Sequence, residues 1–92
     1  MSVTVRIPTP LRKITNGLDK ISASGSSLSE IIKEIEKNFP GFQSRIYDEN
    51  NQLRSFVNIY INGEDIRFLD GLESNTKSGD EVSIVPAVAG GN

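Results

Sequence analysis

Residues 27–39 read SLSEIIKEIEKNF, and the kind of domain this chain forms turns on which side of that segment is apolar. Leu28, Ile31, Ile32, Ile35 and Phe39 recur at helical spacing and make one stripe. Glu30, Lys33, Glu34, Glu36 and Lys37 cover the remaining surface. Ser27 and Glu30 stand at S-x-x-E spacing, a capping box in which hydroxyl and carboxylate satisfy the first free N–H groups reciprocally. Pro40-Gly41 stops the helix, so the expected span is Leu28–Asn38. A helix with a single apolar face must bury it against another layer.

That layer is supplied by strands on both sides. Val3, Val5 and Ile7 alternate with Ser2, Thr4 and Arg6, the period of a half-buried strand, and Pro8 and Pro10 end it. Asn16-Gly17 marks a turn before a second strand at residues 18–23, with Asp19, Ile21 and Ala23 on one face and Leu18 on the other. Residues 42–51 read as a polar crossover with a short helical turn. Residues 56–61 alternate again, with Val57, Ile59 and Ile61 inward and Phe56, Asn58 and Tyr60 outward. Asn62-Gly63 predicts a hairpin into a strand at residues 66–68. Residues 71–78 read as loop, and Gly79-Asp80 turns the chain into a last strand at 81–85, with Val82 and Ile84 inward and Ser83 and Val85 outward. The order β, β, α, β, β, β with one amphipathic helix predicts a two-layer α+β domain over residues 1–86. Residues 87–92, AVAGGN, have neither period and read as a tail.

Composition narrows the chemistry. Ninety-two residues make one domain, too small for a core and a deep active-site cleft together. There is no Cys, hence no disulfide, thiolate nucleophile or zinc-thiolate site, and no His, the commonest general base and transition-metal ligand. Independent catalysis is not expected. A net charge of −2 offers no footprint for nucleic acid or an anionic membrane. No apolar run approaches a membrane span and the N-terminus lacks a signal-peptide block, so the expected location is the cytoplasm.

FVNIYINGEDIRF at residues 56–68, the Gly71-Leu72 pair after it, and SGDEVSIVPAVAGG at 78–91 carry a resemblance across residues 1–91. The chain resembles the ubiquitin-like β-grasp sulfur carriers of the MoaD/ThiS family, and is most similar to the mycobacterial-type carriers that deliver sulfur for cysteine synthesis. The resemblance implies a mixed sheet of four to five strands packed on one main helix. It also implies that an E1-like adenylyltransferase activates the Gly91 carboxylate with ATP and that sulfur then replaces AMP, giving a thiocarboxylate. The acceptor it implies is an activated serine derivative on a cysteine synthase-like pyridoxal phosphate enzyme, with a zinc metallopeptidase releasing the new cysteine. The family's other routes are molybdopterin and thiamine synthesis; the molybdopterin synthase large subunit is the partner if the molybdopterin route applies instead. The carrier itself binds no cofactor.

This division of labour suits the residues. The carrier contributes only an acyl carbon, so it needs neither His nor Cys. Gly90 and Gly91 lack Cβ atoms and let the backbone pass a narrow channel. Pro86, Ala87, Val88, Ala89, Gly90 and Gly91 extend to roughly 20 Å at about 3.3 Å each, enough to enter a partner's site while the globule stays outside. Pro86 stiffens the exit. Val85 and Val88, with outward Phe56 and Tyr60, would form an apolar partner surface, and Arg6 on a neighbouring strand is either a solvated charge or the mate of an acidic rim. Glu64-Asp65 reads as hairpin decoration, and Glu34 and Glu36 lie about 200° apart on the helix, unable to work as a pair.

Asn92 departs from the family pattern, which ends at the second glycine. While it is attached, the Gly91 carbonyl is an amide and has no carboxylate to attack ATP. A zinc metallopeptidase cutting after Gly91 would supply the active form. Two other classes share the architecture: a protein modifier that joins Gly91 to lysines of targets, and a binding module with an inert tail.

Overall fold

The structure, a computed structural model, describes residues 2–86. The expectations placed on Ala87, Val88, Ala89, Gly90, Gly91 and Asn92 lie outside the described residues. Five strands form one sheet: β1 (Val3–Arg6), β2 (Lys20–Ala23), β3 (Val57–Ile61), β4 (Glu64–Asp65) and β5 (Glu81–Pro86), in spatial order β2-β1-β5-β3-β4. The first and last strands run parallel side by side, and every other pairing is antiparallel. Helix α1 (Leu28–Asn38) lies across one face and a five-residue helix α2 (Phe42–Ile46) follows it. This is the expected β-grasp.

The helix spans the expected residues, and Leu28, Ile31, Ile32 and Ile35 are buried against Val3, Val5, Ile21, Ala23, Ile59, Ile61, Val82 and Ile84 of the sheet. Its cap differs by one residue from the expected box. The Ser27 hydroxyl accepts from the Glu30 N–H at 3.4 Å, but the Glu30 carboxylate accepts from the N–H and hydroxyl of Ser26, at 2.8 and 2.9 Å, rather than from Ser27. Those bonds, the backbone one foremost, hold the Glu30 carboxyl below its ordinary range. The chain reaches this cap through Gly25, where a Cβ would stand 2.9 Å from the Cβ of Glu30.

Four local expectations are corrected. Strand β2 begins at Lys20, so Leu18 belongs to the preceding turn, and its awkward facing within a strand does not arise. The segment read as a polar crossover contains Phe42 and Ile46, both fully buried. They stand four apart and so fall on one side of α2. The Glu36 carboxylate accepts from the N–H groups of Gly41 and Gln43, at 3.1 and 2.7 Å, and seats the start of this helix. The strand expected at residues 66–68 is a 3₁₀ turn, Ile66–Phe68, and the paired strand is only Glu64–Asp65. Asn62-Gly63 makes the expected two-residue reversal, both with positive φ (52° and 85°). Asp65 then caps the 3₁₀ turn by accepting from the Arg67 N–H at 2.9 Å, which diverts the chain from the ladder. Asp65 is therefore more than hairpin decoration. Finally, the loop at 71–78 holds a 3₁₀ turn, Gly71–Glu73, and is tied to the head of α1. Ser74 O accepts from the Leu28 N–H at 2.9 Å, and the Thr76 hydroxyl donates to Gly25 O at 3.0 Å.

Candidate functional site

Strand β5 carries the tail, and the fold grips it on both edges. It lies between β1 and β3, with Val5 opposite Val82 and Ile59 opposite Ile84. Its entry is locked by Asp80 and Asn62. One Asp80 carboxylate oxygen accepts from the Asn62 side-chain amide and the other from the Lys77 N–H, both at 3.0 Å, while Asn62 Oδ1 accepts from the Glu81 N–H at 2.9 Å. In sequence both residues are legible only as turn formers, because the bonded partners lie 18 and 19 residues apart.

These bonds, the Asn62 amide first and the Lys77 N–H second, hold the Asp80 carboxyl below the usual carboxylate range. The fold therefore favours the ionised form. Its contribution is fully present above the ordinary carboxylate value near pH 4 and fades as pH falls through the lower folded-state value. Asp80→Asn should cost about 1–2 kcal/mol at pH 7. The gap to the native chain should narrow below about pH 4, as urea melts at several pH values would measure. A gap independent of pH would contradict this.

Strand β5 ends at Pro86, opposite Val57, where a missing N–H matters least. On the outer face, Val85 stands directly across from Asn58 and Ser83 from Tyr60. Asn58 accepts from the Arg67 guanidinium at 2.9 Å, and that same guanidinium pairs with Asp65 at 2.7 Å. The surface between Val85 and Tyr60 is thus interrupted by a polar group rather than continuously apolar. Phe56 is not an outward strand residue. It belongs to the turn before β3, closed by the Val57 N–H donating to Arg54 O at 3.0 Å. There it lines a cleft of about 310 Å³ with Pro10, Leu11, Val57, Ile84 and Pro86, rimmed by Ser44, Arg45 and Arg54. This apolar cleft at the root of the tail was not anticipated, since its walls come from four separate segments.

Arg6 has a partner within the domain. Its guanidinium meets Glu81 at 3.0 Å, both side chains about half exposed. Such a pair is worth at most about 1 kcal/mol. Replacing Glu81 by Gln should lower the unfolding free energy by no more than that, as urea melts would measure, and the loss should vanish in molar salt, where screening is nearly complete.

Among the described residues no group of three or more His, Cys, Asp or Glu side chains is placed to hold a metal ion, and no helix is long and apolar enough to cross a membrane. The lowered carboxyls of Glu30, Asp65 and Asp80 are each accounted for by local hydrogen bonds: from Ser26 to Glu30, from the Arg67 guanidinium and then its N–H to Asp65, and from the Asn62 amide and then the Lys77 N–H to Asp80. What the globule presents is a firmly held strand aimed at its own C-terminal extension. Against known proteins, the sequence pattern of the ThiS family matches residues 5–91.

The chain belongs to the ThiS family.

Its ThiS-family relatives agree with the architecture. The sulfur carrier protein CysO of Mycobacterium tuberculosis is 48% identical over 93 aligned residues, covering 99% of this chain and 100% of that protein. In the crystal structure of the BexX/CysO complex of Amycolatopsis orientalis, a chain 46% identical superposes with a TM-score of 0.91, covering 97% of this chain and 99% of that one. The solution structure of small archaeal modifier protein 1 from Methanosarcina acetivorans is 30% identical with a TM-score of 0.85, covering 98% and 96%. ThiS-family proteins named as sulfur carriers are small carriers rather than enzymes, and this chain shares their length and fold.

Proposed function

We propose that this protein is a sulfur carrier for cysteine biosynthesis, acting in the cytoplasm, and that Gly91 bears the sulfur once Asn92 has been removed. The observation that carries the reading is the near-full-length identity to CysO, joined to a family match that stops at Gly91 and leaves Asn92 outside it.

Removal of Asn92 by hydrolysis frees the Gly91 carboxylate. One of its oxygens attacks the α-phosphate of ATP on an E1-like enzyme, releasing pyrophosphate and forming a mixed anhydride. Carboxylate is a poor acyl donor and the adenylate a good one, so a difficult substitution becomes two easier ones. A sulfide-level donor then attacks the acyl carbon, AMP leaves, and the thiocarboxylate remains. Its sulfur displaces the leaving group of an activated serine held by a pyridoxal phosphate enzyme. The product is a thioester; transfer of the Gly91 acyl group from sulfur to the neighbouring amino nitrogen forms a peptide bond and frees the thiol. A zinc metallopeptidase that hydrolyses that bond would release cysteine and return the Gly91 carboxylate, and the same cut after Gly91 would trim Asn92 at the outset. The BexX/CysO complex, in which a CysO protein is paired with a second protein, supports the expectation of such partners.

Incubating the Gly91-ending chain with ATP, a sulfide donor and its activating enzyme should yield a mass gain of one sulfur-for-oxygen exchange. Pull-down with that form should recover a cysteine synthase homologue; recovery of a molybdopterin synthase large subunit would redirect the pathway. The second reading, protein modification, is favoured by the likeness to the archaeal modifier. It requires a ladder of thiol-resistant conjugates on immunoblots, where a carrier leaves one free band.

A further inference from the structure

The cleft beside Pro86 takes no part in the chemistry proposed above, yet its position relative to the tail is specific. We propose that it is the resting berth of the chain's own tail, residues 87–91, with Val88 as the anchor.

Three features point to that occupant. Val82, Ile84 and Pro86 alternate with Ser83 and Val85 along β5, so an extended continuation brings Val88, not Ala87, to the cleft side. Pro86 pairs with Val57 in an antiparallel ladder. The turn just before Val57 brings Phe56 and Arg54 to the cleft wall, beside the point where the chain leaves β5. The volume, about 310 Å³, is at the small end for ligand cavities of about 300–1,000 Å³. It suits one or two side chains and is too small for a helix.

Charge extends the match. Arg45 and Arg54 stand on the rim, and Arg45 has no carboxylate partner among the described residues. Gly91 is three residues beyond Val88, roughly 10 Å when extended, so its carboxylate falls within reach of those guanidiniums. This last contact rests on the trimmed form proposed above; the Val88 anchor does not. A tethered segment also has an effective concentration on the order of millimolar, well above that of a dilute partner. The ordering cost of the two glycines keeps the berth shallow, so a partner can still draw the tail out. Docking and insertion into a partner's channel exclude each other, because Val88 cannot occupy both places.

Methyl-labelled NMR of the chain with and without Asn92 tests this directly. Cross-relaxation is expected between Val88 methyls and those of Leu11, Val57 and Ile84. Val88→Ser should shift these three cleft signals and leave those of Ile31 and Ile35 on α1 in place. Trimming of the tail by carboxypeptidase should accelerate roughly three- to tenfold in Val88→Ser, since cleavage tracks the undocked population. Absent cross-relaxation with unmoved cleft signals overturns the proposal. So does a cleft whose signals move only when the activating enzyme is added, which would assign it to that partner. Neither readout uses sulfur chemistry, so thiocarboxylate formation without docking sinks this inference alone, and docking without adenylation sinks only the carrier reading.

Discussion

A chain ending at Gly91 will support exchange between ATP and pyrophosphate on its activating enzyme, whereas a chain locked in the longer form will not. Asn92→Pro is the suitable lock, because proline removes the N–H and fixes the backbone that a peptidase must accommodate after Gly91. The expected loss is about a thousandfold or more, a barrier increase of roughly 4 kcal/mol. It is so large because the Gly91 carbonyl is then an amide with no ionised oxygen to attack phosphorus, and the terminal carboxylate, now on residue 92, stands about 3.3 Å further along the chain and behind a residue that carries a side chain. Radiolabelled pyrophosphate exchange with the two chains measures it. Equal exchange by both would end the idea that Asn92 must be removed. Mass spectrometry of protein from its native source gives the independent check, where a species retaining Asn92, with none ending at Gly91, would have the same effect.

The largest effect on stability is expected far from the tail. Phe42→Ala should cost about 3–5 kcal/mol, since Phe42 is fully buried on the inner side of α2 and truncation leaves a cavity. Domains of this size are stable by only about 5–15 kcal/mol, so much of the total is removed. The melting temperature should fall by roughly 15 °C or more, as calorimetry would record. Phe68→Ser is the control. Phe68 is 81% exposed, and its loss should change stability by less than about 0.5 kcal/mol. If the two variants melt together, the assignment of Phe42 to the core is wrong.

These two phenylalanines show where local reading fails. Phe42 sits among Gln43, Ser44 and Arg45, so its neighbourhood averages polar, and only the Phe42–Ile46 spacing betrays a buried side. Phe68 follows an alternating run and looks like part of a strand. The Asp65 cap ends the ladder before it, because one side-chain hydrogen bond within two residues outcompetes a short edge strand. Phe56 looks like a strand residue for a related reason: its alternation with Val57 runs one residue back into the turn that Arg54 opens.

What the chain determines unaided is whatever depends on neighbours in sequence. The span of α1, the inward residues of β1, β3 and β5, the Asn62-Gly63 reversal and the absence of His and Cys all follow from side-chain identity at spacings of two to four. The tertiary structure alone decides that β5 lies between β1 and β3, that Asn62 clasps Asp80, that Arg6 meets Glu81, and that four distant segments wall a cleft beside Pro86. Asn62 and Asp80 are 18 positions apart, and Arg6 and Glu81 are 75 apart. No periodicity reports such separations, because they are chosen by the packing of whole elements, where burial of the shared core outweighs any local preference.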